Sequence, residues 1–163
     1  MNAVLNTFFM LTFLVIALTS QAGDAFAEDN SEETRQIVLA LFEAFNRHDV
    51  EALVKLYSEN TRIVSPGNIE PRIGRKVVRE IYQGHFDNIP GVHDAVQNIV
   101  AEGDRAAVEF IATWEQPTAD DPNARGSLRI ASFITVQDGE ITKDITYYNQ
   151  LELAENMSIE DGE

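Results

Sequence analysis

The hydrophobic period of this chain changes once, from helical to extended, and this change limits the folds open to it. Up to about residue 86, apolar residues recur at intervals of three and four, which predicts amphipathic helices. From about residue 93 to 149 the pattern becomes extended, and Gly103-Asp104 and Asp138-Gly139 are typical two-residue hairpin turns. Helices followed by an antiparallel sheet predict an α+β domain.

Local sequence signals predict where the helices begin and which residues form strands. Helices are expected after Asn30, where Glu33 completes capping-box spacing, after Asp49, and after Gly74. We therefore expect about three N-terminal helices packed on a curved antiparallel sheet of four to five strands. The predicted strands are a short one at 61–64 and longer ones at about 93–102, 105–116, 127–137 and 140–149, before a last helical turn or two.

The first 27 residues read as a targeting segment. Phe8–Leu18 is an apolar run broken only by Thr12, and Ala25-Phe26-Ala27 matches the A-x-A cleavage pattern. Cleavage after Ala27 predicts an exported protein, periplasmic or secreted, with no stable membrane insertion afterwards. Because residues 1–7 contain no Lys or Arg, an uncleaved N-terminal anchor is the alternative.

Charge and cysteine content exclude several classes of function. The chain has 27 acidic and 12 basic residues, a formal charge of −15, which repels a nucleic-acid backbone. It has no cysteine, which excludes disulfides, thiolate nucleophiles and zinc ribbons. Its three histidines lack metal-ligand spacing, so no metal is expected. The chain divides into a signal peptide at 1–27, a flexible acidic segment at 28–33, one domain at 34–153 and an acidic tail at 154–163.

The order of elements and several short motifs resemble the nuclear transport factor 2-like superfamily, which includes ketosteroid isomerases and SnoaL-like polyketide cyclases. This resemblance implies a cone-shaped α+β fold over about residues 34–153. The motifs that carry it are Phe45-Asn46-x-x-Asp49, Leu56-Tyr57, Pro66, Glu70-Pro71-Arg72-x-Gly74, Arg79-Glu80-x-Tyr82, Phe133 ahead of Asp138-Gly139, and Tyr147-Tyr148-Asn149.

The same resemblance argues against ketosteroid isomerase chemistry. That reaction uses an Asp base and an oxyanion hole made of a Tyr and a protonated Asp. The matching positions carry Leu41 for the tyrosine, Ser65 for the base and Ala131 for the protonated aspartate. Leu and Ala cannot donate a hydrogen bond, and a lone Ser is a poor base. In the SnoaL-like pattern an Asp commonly stands where this chain has Asn149.

The resemblance also implies which strand residues line the cavity of the cone. Aromatic and polar side chains together are the expected lining of a small-molecule site, although such aromatics are equally often ordinary core. The implied inward set is Phe110, Ala112, Trp114, Arg129, Ala131, Phe133, Thr135, Asp144, Thr146 and Tyr148. From it and its surroundings we predict ligand contacts from Trp114, Phe110, Arg129, Phe133, Tyr148, Asn149 and Ser65, with Asn149 alternatively ending its strand.

Asp144, His85 and Tyr82 are the predicted catalytic residues. A carboxylate inside an apolar cone acquires a raised pKa and becomes a useful proton carrier. An ion pair with Arg129 is the alternative, and it would lower that pKa instead. His85 lies one helical turn after Tyr82, so both can face one cavity and steady a developing oxyanion, although a lone helical His is often only a boundary residue.

The other sheet face is predicted to be apolar, and therefore to pair with a second copy of the chain as a homodimer. Two functions remain open at this stage. One is a domain that binds a small apolar molecule without catalysis; the other is a cofactor-free acid-base isomerase, cyclase or lyase that uses Asp144. The residues assigned to the outer face are Ile111, Leu128, Ile130, Ile134, Val136, Ile141, Ile145 and Tyr147.

Overall fold

The computed structural model describes residues 30–68 and 70–158, which form four helices packed on one six-stranded sheet. The predicted α+β class and the three N-terminal helices are confirmed, and the predicted signal peptide lies outside the described residues. The helices are α1 (Ser31–Asn46), α2 (Val50–Leu56), α3 (Arg75–Asn88) and α4 (Gln150–Ser158). The strands are β1 (Tyr57–Val64), β2 (Arg72–Ile73), β3 (His93–Glu102), β4 (Arg105–Glu115), β5 (Arg125–Gln137) and β6 (Glu140–Tyr148).

The sheet is mixed, whereas the sequence predicted only antiparallel pairing. Its strand order is β2-β1-β6-β5-β4-β3, and β3 to β6 form the expected antiparallel meander. Strand β1 runs parallel to β6 and pairs Ile63 with Asp144. This pairing was not visible in the sequence, because a parallel neighbour reached through a long connection leaves no turn signal. It brings the end of α2 and the start of β1 against Asp144.

The turns and caps follow the sequence signals in most places. The side chain of Asp49 caps α2 by accepting a hydrogen bond from the Ala52 amide at 2.9 Å. Asp138 and Gly139 both have positive φ angles, 53° and 74°, which is the backbone of a type I′ hairpin turn. Asn30 differs, since its side chain makes no capping bond. Its backbone is close to helical, with φ −77° and ψ 9°, rather than extended as a side-chain cap requires.

The faces of β5 are the reverse of the predicted ones. Strand β4 pairs Phe110 directly with Ile130, and direct partners lie on the same face of a sheet. Even-numbered residues of β5 therefore point inward, and Phe133 is 53% exposed on the outside. A shift of one residue in strand alignment exchanges every side chain between faces. On β5 the corrected inward set is Leu128, Ile130, Ser132, Ile134 and Val136; the corrected outward set is Arg129, Ala131, Phe133 and Thr135. Ile141 on β6, also predicted to face outward, is completely buried in the core.

The core lies between the inner sheet face and α1, α2 and α3. It leaves part of this inner face uncovered, and a cavity forms there. Leu53, Val38 and Val78 are completely buried in it. Gly126 on β5 lies under the ring of Trp114, and a β-carbon there would overlap that ring. The absence of a side chain at Gly126 therefore allows Trp114 to lie flat at the cavity wall. Among the described helices, none has the length and apolarity needed to cross a bilayer.

Candidate functional site

A cavity of about 510 Å³ lies between the inner sheet face and helices α1, α3 and α4. Its walls are mostly apolar, with aromatic rings from Phe45, Phe110 and Trp114. Its size and mixed lining are typical of small-molecule sites. The side chains on its wall that can titrate or donate a hydrogen bond include Ser65, Tyr82, His85, Asp94, Ser132, Asp144, Thr146 and Tyr148.

Asp144 is the central polar residue of this cavity. Strand β6 presents it inward, where it is 7% exposed. Its Oδ2 accepts a hydrogen bond from the Tyr57 hydroxyl at 2.8 Å, whereas its buried Oδ1 has no hydrogen-bond partner in the described residues. Burial raises the pKa of Asp144, and the Tyr57 hydrogen bond and the Thr146 hydroxyl only partly oppose this shift. The raised pKa predicted from the sequence is therefore present.

Tyr57 and Tyr82 form a chain of phenols that ends on Asp144. The two hydroxyl oxygens are 2.6 Å apart, and Tyr57 is completely buried behind the cavity wall. Burial and the nearby Asp144 charge raise the pKa of both phenols, so both keep their protons. Because Tyr57 gives its one proton to Asp144, the Tyr82 hydroxyl must donate to Tyr57. Tyr82 then offers the cavity an acceptor, not the oxyanion donor that the sequence predicted.

His85 lines the same wall as Tyr82, as the spacing on α3 predicted. Their ring centroids are 6.2 Å apart, edge to face. Burial lowers the pKa of His85, which keeps its imidazole neutral at pH 7. Within the described residues its ring makes no hydrogen bond, and a neutral imidazole carries one N–H donor. His85 is therefore the side chain of this helix that is free to donate to a ligand.

Asp94 is a second buried carboxylate on the cavity wall, and the sequence analysis missed it. It begins β3, it is 9% exposed, and burial raises its pKa to about 7. Within the described part of the chain, neither carboxylate oxygen has a hydrogen bond or an ion pair. The sequence did carry a signal: Val92 is buried, and alternation along an extended chain places Asp94 on the same side.

Four of the predicted ligand contacts lie at the cavity, and three do not. Phe110, Trp114, Tyr148 and Ser65 line it. Arg129 and Phe133 lie on the outer sheet face, so the predicted ion pair between Arg129 and Asp144 is wrong. Asn149 is exposed and ends β6; its Oδ1 accepts a hydrogen bond from the Leu151 amide at 3.1 Å at the start of α4.

Two of the three positions compared with ketosteroid isomerase lie at the cavity, and the third does not. Leu41 and Ser65 do line the cavity, but Ala131 faces outward because of the reversed faces of β5. The inward neighbours of Ala131 are Ile130 and Ser132, and neither is an acid. The conclusion drawn from the sequence is therefore unchanged, since β5 carries no carboxylate toward the cavity.

Among residues 30–68 and 70–158, no three His, Asp or Glu side chains converge as a metal site would require. The polar groups of the cavity wall include an acid-base set of two carboxylates, one neutral imidazole, phenols and hydroxyls, together with Arg72, Asn68 and Asn88.

Comparisons with known proteins agree with the fold. A structure from Xanthomonas campestris pv. campestris, a proposed polyketide cyclase, is 27% identical over 79% of this chain and 99% of its own, with a TM-score of 0.66. IdmH, a proposed polyketide cyclase from Streptomyces antibioticus, is 23% identical over 77% and 98%, with a TM-score of 0.65. A proposed ketosteroid isomerase from Kribbella flavida is 22% identical over 76% and 83%, with a TM-score of 0.64.

A search of curated proteins gives no significant match. The sequence profile of the SnoaL-like domain matches residues 38–143, well over half of the chain and all within the domain predicted at 34–153. This match begins at Val38 within α1, includes α2 and α3, and ends on β6 at the residue before Asp144. The resemblance inferred from the motifs is confirmed, and this protein is a member of the SnoaL-like domain family.

Proposed function

We propose that this protein binds a small, mostly apolar carbonyl compound in its cavity and that Asp144 moves a proton on it. The observation that carries the proposal is Asp144, a carboxyl on the wall of an apolar cavity whose buried Oδ1 has no hydrogen-bond partner in the described residues. An unsatisfied buried acceptor costs about 1–3 kcal/mol, which favours a functional reason for keeping it. Burial raises the pKa of this carboxyl, which makes it a stronger base than an ordinary aspartate.

The proposed step is proton abstraction from a carbon next to the carbonyl. The C–H bond breaks, the Asp144 carboxylate takes the proton, and the electron pair moves to the carbonyl oxygen to give an enolate. Returning the proton to the same or another carbon restores the carboxylate and completes an exchange or isomerisation. Tyr57 donates a hydrogen bond to Oδ2 and so holds the carboxyl in place at the cavity wall. The neutral N–H of His85 is the donor we assign to the carbonyl oxygen.

The names of the structural relatives and the cavity wall of this protein both support this class of substrate. The structural relatives are named as proposed polyketide cyclases and a proposed ketosteroid isomerase, and these names refer to ketone-bearing molecules. The cavity wall is mostly apolar, which suits such a molecule. The proposed chemistry differs from that of ketosteroid isomerase, because its proton carrier, Asp144, lies on β6. Leu41 and Ser65 stand at the positions where that enzyme has its oxyanion tyrosine and its base.

A non-catalytic binding domain is the second candidate function. The observation in its favour is the pair Leu41 and Ser65, apolar or weakly polar where ketosteroid isomerase carries catalytic groups. Both candidates predict that the cavity binds a ligand, so binding alone does not separate them. Proton exchange does separate them, because only an acid-base catalyst accelerates it.

The test uses 2-tetralone, a bicyclic ketone with acidic α-protons. The purified chain is incubated with it in D₂O, and proton NMR follows the replacement of the α-protons by deuterium. An acid-base site gives exchange well above that in buffer alone. Binding of 2-tetralone, seen as a change in Trp114 fluorescence, without accelerated exchange would support the non-catalytic candidate.

We also propose that the protein is exported after cleavage at Ala27. The support is in the sequence: the apolar run Phe8–Leu18 followed by Ala25-Phe26-Ala27. The expected result is an intact mass, measured on protein from the exported fraction of expressing cells, that corresponds to a chain starting at Glu28. A full-length mass in the membrane fraction would identify the segment as an uncleaved anchor.

We propose a homodimer through the outer sheet face, defined by the corrected inward and outward sets. Phe133 and Tyr147 are 53% and 58% exposed there, with ring centroids 6.1 Å apart, and Ile111 and Ile145 lie on the same face. Glu109 and Arg129 also lie there without ion pairs in the described chain, so a two-fold pairing can join them.

The dimer prediction is tested with Phe133→Glu. A buried interfacial charge is expected to reduce the mass in light scattering from two chains to one, because it removes an aromatic anchor and adds an unpaired carboxylate. Leu151→Glu is the matched control, because Leu151 on α4 is 75% exposed and lies away from this face. A wild-type protein with the mass of one chain at micromolar concentration would contradict the proposal.

A further inference from the structure

Asp94 has no task in the proton transfer proposed above, and its surroundings are unusual for a carboxylate. It lies on the cavity wall at 9% exposure, without a hydrogen bond or ion pair to its side chain in the described residues. Arg72 is the one Lys or Arg side chain that the described cavity wall contains, and it pairs with Glu80 at 3.5 Å. The negative charge of Asp94 is therefore uncompensated by the chain around it.

The backbone of Asp94 is held in place from the opposite layer. The Asn46 side chain on α1 donates its amide N–H to the Asp94 carbonyl at 2.8 Å, and its Oδ1 accepts the Asp94 amide at 2.8 Å. This two-point contact satisfies both backbone groups and fixes the start of β3. With the backbone fixed, the pairing of Asp94 with Ala112 places its side chain on the cavity face of the sheet. The fold thus holds an unpaired carboxylate toward the cavity.

Aromatic rings surround this position. Strand β4 pairs Ala112 with Asp94, and the next inward residues on either side are Phe110 and Trp114. The small side chain of Ala112 leaves room directly opposite the carboxylate. The ring of Phe42 packs edge to face on Phe110, with centroids 4.9 Å apart. Aromatic faces attract cations, most strongly where water is excluded.

We propose that the Asp94 end of the cavity is a subsite for a cation, namely the ammonium group of an otherwise apolar ligand. This inference rests on the proposed function only in placing the ligand in this cavity. A neutral hydrogen-bond donor would occupy one lone pair of Asp94 and leave its charge buried, whereas an ammonium compensates the charge and also contacts the rings. The formal charge of −15 favours the approach of a cation. The ligand then has an ammonium at Asp94 and its reacting group near Asp144.

The test compares two probes of the same shape, phenyltrimethylammonium and tert-butylbenzene. Trp114 is the one tryptophan of the chain and lies on the cavity wall, so its fluorescence, excited at 295 nm, reports binding directly. At pH 8 the wild-type protein is expected to bind the cation roughly tenfold or more tightly than the neutral probe. Asp94→Asn is expected to abolish that preference and to leave the affinity for tert-butylbenzene nearly unchanged.

Two control variants assign the effect to Asp94. Asp120→Asn removes an exposed loop carboxylate and is expected to change neither affinity, which excludes a general effect of protein charge. Asp144→Asn removes the other cavity carboxylate and is expected to retain most of the preference for the cation. Loss of the preference in Asp144→Asn but not in Asp94→Asn would overturn the assignment and place the cation at the proton-transfer end.

Acidification gives an independent readout. The preference for the cation is expected to fall between pH 8 and pH 5, because burial raises the pKa of Asp94 to about 7. The other titratable or charged groups that line the cavity are Asp144, Tyr82, Tyr148, His85 and Arg72. Protonation of His85 would also repel a cation, and it occurs equally in Asp94→Asn. The part of the pH dependence that Asp94→Asn loses therefore belongs to Asp94.

The outcomes for this subsite and for the proposed function can be distinguished. Equal affinity for the two probes, or no response to phenyltrimethylammonium at millimolar concentration, overturns the cation subsite, whatever the 2-tetralone exchange shows. A tenfold preference without deuterium exchange supports the subsite and removes the proton-transfer role of Asp144. The neutral ketone used in the exchange test does not need the subsite, so neither result determines the other.

Discussion

Asp144→Asn is expected to lower the protein-catalysed deuteration of 2-tetralone by roughly 10²–10⁴-fold, the usual contribution of a positioned general base. The amide oxygen of Asn accepts a hydrogen bond from Tyr57 as the carboxylate does, so the geometry is largely kept. The amide cannot take a proton from carbon at neutral pH. Proton NMR in D₂O measures the rate, and Trp114 fluorescence shows whether the variant still binds the ketone with similar affinity.

Two further variants show whether a lower exchange rate in Asp144→Asn is due to its role as a base. Asp120→Asn, in the exposed loop between β4 and β5, is expected to keep the full rate. Tyr57→Phe removes the hydrogen bond that lowers the pKa of Asp144, and it is expected to move the pH profile of exchange toward higher pH. A merely structural role for Tyr57 would lower the rate without moving the profile. An Asp144→Asn variant that exchanges as fast as the wild type would contradict the proposed role of Asp144.

The elements of this fold are readable from sequence because each has a local cause. The helix after Asp49 begins where a side-chain cap is available, and the hairpin at Asp138-Gly139 is formed by residues that tolerate positive φ. The parallel pairing of β1 with β6 has no local cause. It depends on the arrangement of α3, β3, β4 and β5, which separate the two strands in the chain. The sequence pattern therefore did not predict it.

The site was predicted in part, and the assignment of strand faces was the main source of error. Strand alternation gives two faces but does not say which one is buried, so Asp144 was placed correctly and Arg129 incorrectly. Direct pairing of Phe110 with Ile130 decides β5, and that pairing is a long-range fact. The contact of Tyr57 with Asp144 arises only when β1 lies beside β6. Asp94 was not among the predicted site residues, and it reaches the cavity because β3 pairs it with Ala112 on the inner face.

The raised pKa of Asp94 also predicts an unusual dependence of stability on pH. In the folded protein this pKa is about 7, against an ordinary value of 3.8. Between these values the folded chain keeps a proton that the unfolded chain has released, so the folded state is favoured at low pH and loses this advantage as pH rises through 7. Above pH 7 the ionised carboxylate costs about 4 kcal/mol. Asp144 shifts stability in the same direction.

Asp94→Asn is therefore expected to be more stable than the wild type at pH 8, by up to about 4 kcal/mol, with a difference that narrows steadily toward pH 5. Urea unfolding at several pH values measures both chains, and Asp120→Asn should follow the wild type throughout. A difference independent of pH would mean that Asp94 has the same pKa in the folded and the unfolded protein, and would contradict the shift to about 7. Adding phenyltrimethylammonium at pH 8 should stabilise the wild type and reduce the difference, because the cation binds only the folded carboxylate. A residue that destabilises its own fold at neutral pH, and recovers stability when a cation binds, has the energetic signature of a ligand site.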